Sequence, residues 1–157
     1  MRQLSVICGA LIFLGSLLAA TGTSPGAVPL MTGIGTPHLA VTTRSPLAQK
    51  YFDQGLRLCY AFNHDEAIRA FREATRLDPS CAMAHWGVAY ALGPNVNLPV
   101  DAEREKEAFA EVQKAKALAP RATPRERAWI EALAKRYSDD PKADLHALDH
   151  AFADAMR

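Results

Sequence analysis

The chain of 157 residues has almost no charge bias, with 18 lysines and arginines against 17 aspartates and glutamates. It therefore lacks the basic field by which proteins bind nucleic acid. Charge is also missing locally: Arg2 is the only charged side chain before Arg44. Cysteines are few, and no C-x-x-C pair occurs. H-E-x-x-H, G-x-S-x-G and a glycine-rich phosphate loop following a strand are absent too, which removes the commonest local signatures of catalysis and of metal or nucleotide binding. Gly33-Ile34-Gly35 lies in an aperiodic stretch and signals no nucleotide. The expectation is a chain that is not an enzyme and carries no cofactor. Its make-up, 49% hydrophobic and 22% charged, is enough for one packed domain.

The N-terminus departs from this average. After Arg2, Val6 to Leu18 is a nearly unbroken apolar run, followed by the small residues Ala19, Ala20, Thr21 and Gly22. A basic start, an apolar middle and a small-residue exit describe a secretory signal peptide over residues 1–22. The run is short for a bilayer span, which needs ~20 apolar residues, so membrane contact is expected only if the signal stays uncleaved. Cys8 sits within the apolar run, which argues against a lipid-modified N-terminal cysteine. The mature chain is then exported, to the periplasm or outside the cell. Residues 23–45, rich in Gly, Pro, Thr and Ser and without apolar period, are expected as a flexible leader.

Helical patterning begins at Ser45-Pro46, a cap followed by proline in the first turn. From Tyr51 to Pro79 the residues recur with a fixed logic. Gly55 and Ala67 are small where two antiparallel helices would cross, Phe71 is large one turn later, Ala74 is small again, and Asp78-Pro79 stops the helix. A second unit begins 34 residues on, with His85, Val88-Ala89 and Leu92, then Ala108, Val112, Ala115 and Pro120 once the seven-residue insertion 93–99 is allowed for. Asp101 reads as the cap of the helix after that loop. A third hairpin starts with Thr123 and Glu126, spaced as a capping box, runs to Tyr137, and resumes after a loop at 138–141 with Leu145, Leu148, Phe152 and Ala155.

This pattern resembles the tetratricopeptide repeat. Tyr51 stands at the Trp place, Gln54-Gly55 at Leu-Gly and Leu58 at Tyr, with Ala67, Phe71, Ala74 and Pro79 at the later offsets. The segments Phe62 to Ala67 and Asp78 to Met83, followed by Trp86-Gly87 and Gly93 to Asn97, are similar to the N-terminal part of large exported bacterial members of that family. The resemblance implies an all-α, right-handed solenoid over residues 46–157, in units of about 46–80, 81–120 and 121–157. It also implies an interaction scaffold whose concave face holds a protein or peptide partner. The last helix ends at Arg157 with neither a terminating Gly or Pro nor a polar cap, so the chain is expected to be a fragment of a longer protein or to self-associate through that end.

In such a repeat the first helix of each hairpin supplies the concave face, here Gln49, Phe52, Leu56, Cys59 and Tyr60, then Met83, Trp86 and Tyr90. The set is apolar and aromatic, which suits an amphipathic or extended segment and not a clamped terminal carboxylate. Phe52, Trp86 and Tyr90 either line this groove or pack against the rest of the protein. The alternative to a scaffold is a metal site: Cys81 and His85 are four apart on one helix face, with His64 as third ligand. His146 and His150, also four apart, read mainly as a solvated helix face. Cys59 and Cys81 lie at opposite ends of a hairpin, ~15 Å apart at 1.5 Å per helical residue. That exceeds the ~7 Å limit for a disulfide, so both are expected as free, mostly buried thiols.

Overall fold

The computed structural model describes residues 28–95 and 101–157. The expected signal segment 1–22, the first residues of the leader and most of the insertion 93–99 lie outside the described residues. Among the described residues there are six α-helices and no strand: α1 (Pro46–Tyr60), α2 (His64–Leu77), α3 (Ala82–Leu92), α4 (Ala102–Leu118), α5 (Pro124–Ala134) and α6 (Leu145–Ala155), with a 3-10 turn at Ala119–Arg121.

Local chemistry sets most of the helix ends. Ser45 Oγ accepts from Ala48 N, and Pro46 occupies the first turn of α1. Asp101 and Asp144 cap α4 and α6 through side-chain acceptors, and Thr123 with Glu126 closes the capping box of α5. The C-terminus of α1 has no glycine. Phe62 adopts φ 58° there, while Asn63 N donates to Leu58 O and Phe62 N to Cys59 O. This is the 6→1 and 5→2 pattern that normally recruits glycine. At the C-terminus of α3, Arg104 reaches across from α4, and its Nε donates to Leu92 O at 3.2 Å.

The helices pack as consecutive neighbours: α1 on α2, α2 on α3, α3 on α4, α4 on α5. Burying α3 on several sides requires a helix that is apolar all round, and Ala82, Met83, Ala84, Trp86, Gly87, Val88, Ala89, Ala91 and Leu92 are all buried. The small residues act as expected from their spacing. Ala67, Phe71 and Ala74 are wholly buried, Tyr51 and Leu58 nearly so, and the Phe71 ring packs 5.4 Å from that of Phe52. Pro79 sits exposed in the turn.

One sequence-based boundary changes. The helix expected to reach Tyr137 stops at Ala134, because Tyr137 turns inward: its hydroxyl donates to Ala89 O at 2.7 Å, tying the third hairpin to α3. The last helix is held thinly. No residue of α6 is buried, and its anchor is Arg136, which pairs with Asp149 at 2.8 Å and lies over the Phe152 ring.

Candidate peptide-binding face

Residues 28–45 are not the loose tether that their composition predicts. They run over α1 and are fixed there by its side chains. On α1, Gln49, Asp53 and Arg57 follow each other at i, i+4 spacing and so share one side of the helix. Gln49 Oε1 accepts from Val41 N at 3.0 Å while its Nε2 donates to Leu39 O at 2.9 Å. Gln54 does the same further along, accepting from Met31 N at 2.7 Å and donating to Pro29 O at 3.0 Å. Asp53 accepts from Leu39 N at 3.1 Å, and its other oxygen lies 2.7 Å from His38 Nδ1. Arg57 Nε donates to Pro37 O, and the Tyr51 hydroxyl donates to Val28 O.

Beyond α1 the segment bridges to two other elements. Glu126, in the first turn of α5, accepts from Thr42 N at 2.6 Å and from the Thr42 hydroxyl at 2.7 Å. Asp78, in the turn between α2 and α3, accepts from Arg44 N and from the Thr43 hydroxyl. These bonds decide the ionisation of both acids. Burial opposes the charge on Asp78, but hydrogen bonds from Ser80, Thr43 and Arg44 outweigh it and bring the carboxyl down to about 2. For Glu126 burial again opposes the charge, and hydrogen bonds from Thr42 and Thr123 overcome it, so its carboxyl is lowered.

The residues expected on the groove separate into three groups. Gln49 meets the extended segment directly. Phe52 and Met83 are no surface at all, being 0% and 1% exposed: Phe52 points toward Phe71 on α2, and Met83 belongs to the enclosed α3. Cys59 and Leu56 are likewise buried. The aromatics form a cluster of their own. Trp86 stacks on Tyr90 with 5.0 Å between centroids and lies 6.2 Å from Trp129, whose carbonyl accepts from its indole N–H at 3.1 Å. Arg125 lies over Trp129, and Tyr60 is 65% exposed. For Trp86 packing is thus the observed role, while Tyr90 remains half-buried beside it.

The three metal candidates do not converge. His85 Nδ1 lies 2.7 Å from Glu111 Oε2, and Lys114 donates to the other oxygen of Glu111. Burial works against charge on Glu111, yet His85 and Lys114 hold its carboxyl low. Cys81 begins α3 as a buried thiol that burial pushes up to about 11, and burial pushes the Cys59 thiol up to about 12. Both cysteines are free and buried, as their separation along the hairpin predicts. His64 opens α2 with its ring edge-on to Phe62 and its ring nitrogens unbonded. Among the described residues no three His, Cys, Asp or Glu side chains gather to hold a metal ion. His146 and His150 touch edge to face on exposed α6. A separate open cleft of about 780 Å³ lies between α4 and residues 138–145, lined by Glu103, Glu105, Phe109 and Leu145. No helix among the described residues is long and apolar enough to cross a membrane.

Sequence reasoning missed Asp53, Gln54 and Glu126 as contacts for the segment 28–45. The available signal was a pair of adjoining polar rows on α1, Gln49-Asp53-Arg57 and Lys50-Gln54. No protein-family model matches the chain, and neither a curated protein nor a solved structure shows significant similarity to it.

Proposed function

We propose that the chain is an exported helical-repeat scaffold of the tetratricopeptide type. In this reading it binds an extended segment of a protein partner on the side presented by the first helices of its hairpins, α1, α3 and α5. The observation that carries the reading is the hydrogen bonding of Gln49, Asp53, Gln54 and Glu126 to the main chain of residues 29–42. Side chains that satisfy backbone N–H and C=O groups bind extended polypeptide of many sequences, as an added strand is bound at a sheet edge. The repeat family is supported by the small residues at Gly55, Ala67 and Ala74 around Phe71, and export by the apolar segment 6–18 behind Arg2. The metal reading is weaker, because His85 is engaged with Glu111 and lies on a different helix from His64.

The test is affinity capture from an envelope extract with the full chain and with a Gln49→Ala/Asp53→Ala variant whose helical circular dichroism is unchanged. A partner retained by the parent and lost by the variant is expected. Equal recovery by both proteins would remove this face as the binding surface.

A further inference from the structure

The peptide-binding face is already occupied, and by the chain itself. We propose that residues 28–42 are a resident pseudo-ligand that keeps the face closed in cis, and that a partner enters by displacing them. The inference rests on the peptide-binding reading above and adds the chemistry of the partner: an extended segment whose main-chain N–H and C=O groups are free to meet the Gln49 and Gln54 amides and the Asp53 carboxylate.

Three features separate this segment from an ordinary structural strap. The first is its period. Over residues 39–44, Leu39, Val41 and Thr43 are half-buried while Ala40, Thr42 and Arg44 are exposed, the two-residue alternation of a strand lying with one face on a surface; before it, Val28, Met31 and Ile34 touch down every third residue. The second is the manner of holding. Gln49 and Gln54 each give one acceptor and one donor to the segment's backbone, the two-bond exchange by which a neighbouring strand would pair. That pairing is indifferent to side-chain identity and is equally open to another polypeptide. The third is shallowness. Val28, Met31, Ile34, Leu39 and Val41 pack against the core yet none is fully buried.

The hinge is built to leave the fold behind. The cap of α1 is internal to the helix start, Ser45 Oγ to Ala48 N. Thr43 and Arg44 stay tied to Asp78. Residues 28–42 can therefore leave while α1 keeps its N-terminus and the α2–α3 turn keeps its contacts. A tethered occupant competes at high effective concentration, and the apparent affinity for an outside segment falls by the fraction of time the face is empty.

The experiment uses the full chain and a released variant, Leu39→Pro/Val41→Pro. That variant removes the N–H donors to Asp53 and Gln49 and leaves the face untouched. The probe is a fluorescent synthetic peptide of residues 28–42, followed by anisotropy. The released variant is expected to keep its helical circular dichroism and to bind the probe at least about tenfold more tightly than the parent. Adding Gln49→Ala to it should abolish binding. Equal affinity for parent and variant, no binding by either, or loss of helix on release would each overturn the proposal. Native-state hydrogen exchange on the unmodified chain gives an independent reading. The Leu39, Val41 and Thr42 amides should exchange through local opening, well ahead of α3; exchange at the rate of the α3 core would show that the segment leaves only on global unfolding. If the probe fails while an envelope partner is still captured through Gln49, the scaffold reading stands and the cis occupant alone is rejected.

Discussion

A β-carbon on Gly55 would stand 2.7 Å from the ring of Phe71, and one on Gly87 would come closer still. The ring thus fills the crossing of three helices, α1, α2 and α3, through gaps left by two absent methyl groups. Helix propensity opposes this arrangement, since glycine inside a helix costs about 1 kcal/mol relative to alanine. The glycines are there because the ring is.

Gly87→Ala is accordingly expected to destabilise the protein. Propensity returns up to about 1 kcal/mol, but the methyl must displace a wholly buried ring, and overpacking costs about 1–3 kcal/mol. A net loss of about 1–2 kcal/mol is expected by chemical denaturation, against about 3–5 kcal/mol for Phe71→Ala. A Gly87→Ala protein more stable than its parent would show that the ring is free to shift.

Phe62 invites the opposite substitution. Its φ of 58° puts a non-glycine residue in the left-handed region, which costs about 1–2 kcal/mol, and its side chain is 64% exposed. Phe62→Gly should raise stability by about 0.5–1 kcal/mol, the gain reduced by the greater freedom of glycine in the unfolded chain. A drop in melting temperature would mean that the Phe62 ring, edge-on to His64, contributes more than its exposure implies.

Acid should loosen the segment over α1 before it unfolds the helices. Asp78 has its carboxyl lowered from 3.8 to about 2, and that of Glu126 is also lowered. Between about pH 4 and about pH 2 the unfolded chain takes up protons that the folded chain refuses, so stability is full above this window and falls as pH falls through it. The Asp78 contribution is about 2 kcal/mol at most. Asp78→Asn should flatten the stability profile over that interval, and exchange of the Thr42 and Arg44 amides should accelerate on acidification. A profile unchanged by Asp78→Asn would remove this carboxylate from the account.

The hairpins were readable because packing two helices leaves a mark on composition. Gly55, Ala67 and Ala74 must be small and Phe71 large for the crossing to exist, and a cap such as Ser45, Asp101 or Thr123 must be an acceptor. Those demands act on side-chain identity and appear directly in the order of residues. The enclosure of Phe52 and Met83, both expected on the groove, was not readable in the same way. Spacing places both on a first helix, but how far that helix is rolled, and how completely α3 is enclosed, depends on the packing of all its neighbours. Phe52 is turned onto Phe71, and what remains for an extended chain is the polar edge at Gln49 and Asp53.

By itself the sequence determined the all-helical class, the helix caps, the crossing around Phe71 and the separation of Cys59 from Cys81, because local sterics, capping chemistry and helix rise are properties of the residues and their spacing. Only the tertiary structure decided that Gln49, Gln54, Asp53, Asp78 and Glu126, drawn from three elements, would converge on residues 28–44. The bonds they make go largely to backbone N–H and C=O groups, which residues of every type present (proline lacking only the N–H), so the polar stripe on α1 does not by itself say which segment it holds.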